Sequence, residues 1–320
     1  MSEVKTKTPI SNSRIGDSAP RPDGIPKVKG TFAFSSDLWH EKMLWGGTLR
    51  SPYPAARINK LDITEALLID GVHTVLTHSD VPGEAVYGLE HADQPVMAAE
   101  VVRYEGEPVA IVAADHPEIV RRALAAIKVE YEEMVPLTDP EIAESVGHIH
   151  PDGNVFRKIN IRHGDQEIQG DIQVEGVYEV GMQDQAFLGP ESGLAVPGED
   201  GGVDLYVSTQ WLHADQRQVA SCLGLKEEDV RITLAGVGGA FGAREDLSLH
   251  VHLCMLAMRT NRPVKMIYSR EESFHGHVHR HPAKMWYRHH ADREGNLLRV
   301  EARGSLDRGA YASSSGAVIE

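Results

Sequence analysis

The chain has 320 residues, 41% of them apolar, 6% aromatic and 25% charged. At roughly 150 residues per domain this is about two domains of ordinary globular composition. A net charge of -15 argues against nucleic acid or an anionic membrane as partner, since both attract basic surfaces. The two cysteines, Cys222 and Cys254, are too few for a disulfide framework or for a four-thiolate iron–sulfur cluster. They read as small apolar core residues.

Residues 1–26 are rich in Ser, Pro, Lys and Arg and read as a flexible tail without a secretory core. No apolar run has the ~18 residues of a membrane helix; the default location is the cytoplasm. Strands are predicted over 31–34, 43–49, 58–63, 73–77 and 109–113. Asp115 is then the expected N-cap of a helix with Pro117 in its first turn and an apolar face of Ile119, Val120, Ala123, Leu124 and Ile127. With a strand over 128–132, residues 27–135 form one small α+β domain. Prolines and the turn Pro151-Asp152-Gly153-Asn154 mark 136–170 as a linker.

The second domain spans 171–320. Strands are predicted over 173–182, 193–196, 203–208, 230–234 and 264–268, and a hairpin over 283–306 turns at 292–296. One helix covers 214–223. A second is expected over 245–259, apolar on most sides and therefore buried. The chain closes on a small-residue loop, 308–316, with no expected helix after it, so this domain reads as incomplete at its C-terminus.

The sharpest chemical signal is Ala235-Gly236-Val237-Gly238-Gly239-Ala240-Phe241-Gly242-Ala243-Arg244-Glu245, between a strand and the expected helix. Its glycines let backbone amides approach a ligand, and a helix start would favour an anion. It is neither a dinucleotide fingerprint nor a Walker loop. A glycine-rich structural turn explains it equally well. Phe241 suggests a wall against a planar ligand. Glu245, in the expected first turn, is an ordinary helix-dipole acid or an acceptor facing the same pocket. Gln210 ends a strand and can offer an amide. Glu191 reads as a solvated acid. The alternation His275, His277, His279, His281 would share one strand face. Without the spacing or the carboxylate of a metal set it reads as a polar surface.

Taken in order, several motifs resemble one family. They are Arg21-Pro22-Asp23-Gly24, Gly47-Thr48-Leu49-Arg50-Ser51-Pro52, Ser208-Thr209-Gln210, the run from Gly238 to Glu245, Ser269-Arg270-Glu271-Glu272, Arg280-His281-Pro282 and Asp307-Arg308-Gly309-Ala310-Tyr311. The chain is similar to molybdopterin-binding large subunits of molybdenum hydroxylases, the xanthine dehydrogenase and aldehyde oxidase family, and most to the separate-chain bacterial xanthine dehydrogenase type. The resemblance implies an α+β fold: an a/b hammerhead domain followed by the first part of a molybdopterin-binding domain. It implies an oxidoreductase of purine catabolism that hydroxylates a heterocycle at molybdenum. Its cofactor would be molybdopterin, in the cytosine dinucleotide form. Partners would be an iron–sulfur subunit with two 2Fe-2S clusters and an FAD subunit. Carried over by motif, Gln210, Gly239, Ala240, Phe241, Gly242 and Arg244 contact the cofactor, with Gln210 and Phe241 near the metal, and Glu245 binds substrate. The general-base glutamate is expected beyond Glu320, so the chain alone is expected to be inactive. Gly189-Pro190 stands where relatives have Glu-Pro, and Ala243-Arg244 replaces Gly-Lys. Alternatives are a hydroxylase of aldehydes, carbon monoxide or another N-heterocycle, and a non-catalytic binding module.

Overall fold

The computed structural model describes residues 15–319; most of the tail expected over 1–26 lies outside them. In chain order the first region holds α1 (Gly24–Lys29), β1 (Leu44–Arg50), β2 (Ala56–Asp62), α2 (Thr64–Leu67) and β3 (Val72–Thr77). Three short strands follow, β4 (Val86–Tyr87), β5 (Gln94–Pro95) and β6 (Val101–Val102), then β7 (Pro108–Ala114), α3 (Pro117–Ala126) and β8 (Lys128–Glu133). The second region holds β9 (Ile172–Val180), β10 (Ser192–Pro197), β11 (Val203–Val207), α4 (Leu212–Leu223) and β12 (Val230–Leu234). It continues with α5 (His250–Thr260), β13 (Val264–Ile267), α6 (Arg270–Gly276), β14 (Ala283–Ala291), β15 (Leu297–Leu306) and α7 (Ser315–Ile319).

The two regions share one seven-stranded sheet, ordered β12-β11-β10-β13-β1-β7-β3. The junction is the parallel pair β1–β13, with Leu44 opposite Val264. Helix α5 packs on β10, β11 and β13 and buries Leu253, Cys254, Leu256 and Ala257 completely, as its largely apolar sequence requires. Both cysteines are free and buried; burial pushes the Cys222 thiol up to about 12 and Cys254 higher still. Separately, β15-β14-β9 form an antiparallel sheet.

Several local expectations are corrected. The strand expected over 31–34 is a single bridge from Phe34 to Gly236, preceded by α1. The N-cap of α3 is His116, whose Nδ1 accepts the Glu118 N–H at 3.1 Å. Asp115 instead pairs with His73 at 2.9 Å and Arg262 at 3.5 Å. Helices α1, α2, α6 and α7 were not expected, and α1 takes in residues 24–26 of the expected tail. Helix α5 begins at His250 rather than 245.

Candidate functional site

The sheet order places four chain segments on one edge. Strands β11 and β12 run parallel, so both leave the sheet on the same side, one into Ser208-Thr209-Gln210 and the other into the glycine-rich loop. Strand β10 is antiparallel to β11 and therefore starts there, fed by residues 183–191. Strand β13, antiparallel to β10, ends there and enters α6. Buried hydroxyls lock the strand ends: Ser35 Oγ lies 2.6 Å from Ser192 Oγ and 2.9 Å from Ser208 Oγ, and Ser208 donates to Gly236 O at 2.8 Å. Sequence reading missed this cluster, because lone serines far apart carry no periodic signal.

The loop's inner side is packed tightly. The Gly189 N–H donates to Gly238 O at 3.1 Å, and a Cβ on Gly238 would stand 2.8 Å from Gly189 Cα. Outside, Ala243 N–H closes a turn on Ala240 O at 3.0 Å. Its central residues, Phe241 and Gly242, have φ of 52° and 88°, the sign pattern of a type I′ turn. Positive φ at a bulky residue costs of order 1–3 kcal/mol and is kept where surroundings impose it. Yet the Phe241 ring is 77% exposed, so no core contact rewards the strain. The N–H groups of Gly239, Ala240, Phe241 and Gly242 donate to no other described residue.

A reciprocal pair ties this loop to Gln210, which lies three residues beyond the end of β11 at Val207 rather than ending the strand. The Gln210 N–H donates to Arg244 O at 2.9 Å, and the Arg244 N–H to Gln210 Oε1 at 3.3 Å. A backbone N–H can only donate, so the Gln210 amide oxygen faces it and the NH₂ group is turned elsewhere. Gln210 is exposed. The Arg244 side chain turns inward: Nε donates to Gly239 O at 2.9 Å, Nη2 to Gly189 O at 2.5 Å, and the guanidinium sits 4.3 Å from the Phe187 ring centroid. Burial lowers its pKa, with Glu191 opposing. Arg244 thus braces the loop from behind. Glu245 is half-buried and precedes α5 by five residues, so it is not a first-turn acid and the loop is not a helix N-terminus. The cause is tertiary: Gln210 and Thr209 claim the Arg244 carbonyl, and Ser313 donates to Asp246.

Behind the edge lies a layer of buried ionisable groups. Glu191 is 2% exposed, contrary to the solvated reading, and its Oε1 stands 3.4 Å from His277 Nδ1. His277 Nε2 and His279 Nε2 approach Asp184 Oδ2 at 3.5 and 3.2 Å. The four alternating histidines therefore share no strand face. His275 ends up on α6, His277 and His279 turn in onto Asp184, and His281 reaches Ser315 Oγ at 2.8 Å. Among the described residues no group of His, Cys, Asp and Glu has the arrangement of a metal site. Burial pushes Asp215 up to about 7 and Asp246 up to about 6, and holds His250 down to about 3.

Two cavities among the described residues are lined by neither Gln210 nor the Phe241–Gly242 turn. One of about 320 Å³ is lined by Arg50, Gly106, Glu272 and His275, and one of about 390 Å³ by Lys284, Trp286 and Arg303. The edge bearing Gln210, Phe241 and Gly242 is an open wall, with Leu188 and Trp211 also exposed on the adjoining segments.

Residues 29–135 match the a/b hammerhead domain of aldehyde oxidase and xanthine dehydrogenase, and residues 149–320 match the molybdopterin cofactor-binding domain. The chain is 38% identical over 305 residues to a probable xanthine dehydrogenase subunit of Bacillus subtilis, covering 94% of this chain and 41% of that protein. It is 38% identical over 310 residues to the nicotinate dehydrogenase large molybdopterin subunit of Eubacterium barkeri, covering 95% of this chain and 73% of that subunit. The aldehyde oxidoreductase of Desulfovibrio gigas superposes with a TM-score of 0.85 at 27% identity, over 90% of this chain and 34% of that one. The chain therefore spans less than half of the first relative. With one domain family matched over more than half of its length and the other over most of the remainder, it belongs to the xanthine dehydrogenase and aldehyde oxidase family of molybdenum hydroxylases.

Proposed function

We propose that this chain forms one wall of the molybdopterin site of a hydroxylase acting on an N-heterocycle, a purine first. The observation that carries the reading is the exposed Gln210, whose NH₂ group donates to no described residue, beside the strained, solvent-facing Phe241–Gly242 turn. The residues fit the cofactor on their own chemistry. Four unpaired loop amides and one side-chain amide are donors for an anionic, oxygen-rich group, and the Phe241 ring is a flat apolar face for a planar one. The open space at Gly242, where a Cβ would meet nothing within 4 Å, leaves that approach clear.

When bound, molybdopterin supplies the redox chemistry of oxidative hydroxylation. This chain's residues bind and orient. Gln210 donates from its NH₂ group, Gly239, Ala240, Phe241 and Gly242 donate from the backbone, and Arg244 keeps the loop in register from behind. Glu245, which makes no hydrogen bond or ion pair to a described residue, accepts from a ring N–H of the substrate. In this reading the electrons pass to iron–sulfur and FAD subunits in the cytoplasm, and the pterin carries a cytosine nucleotide. A pyridine carboxylate is the second reading, favoured by the identity to the nicotinate dehydrogenase subunit, which equals that to the xanthine dehydrogenase subunit.

Steady-state profiling of the assembled enzyme with xanthine, hypoxanthine, nicotinate and an aromatic aldehyde separates these. Replacing Glu245→Gln should lower kcat/KM for the purine about 10–100-fold, the scale of one lost charged hydrogen bond, and leave the aldehyde unaffected. Equal losses on every substrate would overturn the substrate role of Glu245.

A further inference from the structure

We propose that Asp215 is a positioning residue of this edge: from the buried side it holds Thr209, and through Thr209 the Gln210–Arg244 clasp that turns the Gln210 amide outward. Asp215 lies in the first turns of α4 and is 0% exposed. An acid near a helix start is ordinarily a solvated partner of the helix dipole. Here it is sealed in, and its carboxylate is spent on a side chain outside the helix. The Thr209 hydroxyl donates to Asp215 Oδ2. The same Thr209 oxygen accepts the Trp211 N–H at 3.1 Å and lies 3.4 Å from Arg244 O. Thr209, the residue before Gln210, is thereby tied to Trp211, the residue after it.

A second group closes on Asp215 from α5. His250 Nδ1 accepts the Ser248 N–H at 3.2 Å, so the ring proton of the neutral imidazole sits on Nε2. That nitrogen stands 3.8 Å from Asp215 Oδ2, an attraction longer than a hydrogen bond. Asp215 thus joins α4, the end of β11 and the start of α5. Burying a carboxyl with one oxygen, Oδ1, unpartnered is unfavourable. That cost accompanies an arrangement that fixes the donor direction of Gln210.

The role of Gln210 toward the cofactor rests on the proposed function; the positioning role does not. Hydrogen exchange of the full chain tests the latter at two amides, Gln210 and Arg244, against α5 amides such as Leu256 as internal reference. Thr209→Val, nearly isosteric, and Asp215→Ala should each speed exchange at Gln210 and Arg244 about tenfold, the scale of losing one supporting hydrogen bond, with α5 unchanged. Asp215→Asn keeps an acceptor of the same size and should restore near-native protection. Unchanged protection at Gln210 and Arg244 in Thr209→Val, or acceleration spread evenly into α5, overturns the proposal. Molybdenum content of each variant, produced with its partner subunits, keeps the two claims apart. A loosened clasp with undiminished molybdenum supports the positioning role and removes Gln210 from the cofactor site. An intact clasp with lost molybdenum overturns the positioning role.

Discussion

Phe241 adopts a backbone conformation that suits glycine and leaves its ring in solvent. Replacing Phe241→Gly should therefore stabilise the chain by about 1 kcal/mol in urea denaturation, while the assembled enzyme loses molybdenum. A destabilised variant would mean the ring packs in the isolated chain after all. Asp215 gives a pH signature. Burial raises its pKa from 3.8 to about 7, so folding favours the protonated form. Its contribution to stability is full below its ordinary value and lost as pH rises toward 7. Asp215→Asn carries no such loss and should gain on the native chain steadily between pH 4 and 7, then level off. His250 and His252, pushed down to about 3 and 4 by burial, act in the opposite sense, losing stability as pH falls. They are common to both proteins and largely cancel in the difference. A difference flat across that window would contradict a buried carboxyl. At this scale Gln210, Phe241 and Glu245 were legible as candidates from their motif. The service of Asp215, Glu191 and His277 was not, because each depends on a partner distant in sequence or packed from another element.

Element boundaries failed where long-range bonds outrank local pattern. Leu247 and Leu249 extend the apolar run of α5 and invite a helix from 245. The segment is instead bound crosswise, Arg244 to Gln210 and Asp246 to Ser313, and helical geometry starts only at His250. Within α5 the apolar pattern did forecast burial. Leu253→Ala should cost about 2–5 kcal/mol by denaturant unfolding, as expected for a cavity under three strands; a loss below about 1 kcal/mol would mean the helix is not the centre of this core. The contact between residues 189 and 238 makes a complementary prediction. Gly238→Ala forces a methyl against the Gly189 backbone and should cost about 1–3 kcal/mol. It should also displace the Phe241 turn, seen as faster proteolysis at Arg244. Unchanged stability and cleavage would show that the two loops separate freely.

At the level of the whole molecule, two sequence regions that read as successive domains contribute to one sheet through β1 and β13. Short, widely separated strands give no signal of which neighbours they choose, so this pairing was hidden, whereas the α+β class and both family domains were visible in the motifs. A shared sheet and a core running through Leu44, Leu76, Leu205, Leu256 and Val264 should unfold in one transition. Tryptophan fluorescence and far-UV circular dichroism would then give coincident midpoints; two separated midpoints would mean the regions are independent. The wall at the end of β11 and β12 is the consequence of that sheet, since the two strands run parallel and leave it on the same side. Anomalous diffraction at the molybdenum edge, from crystals of the chain assembled with its partner subunits, tests its cofactor role most directly. A single molybdenum peak should face the Gln210 amide and the Phe241–Gly242 turn. A peak on any other surface of this chain, or a folded assembly with no molybdenum, would contradict that role.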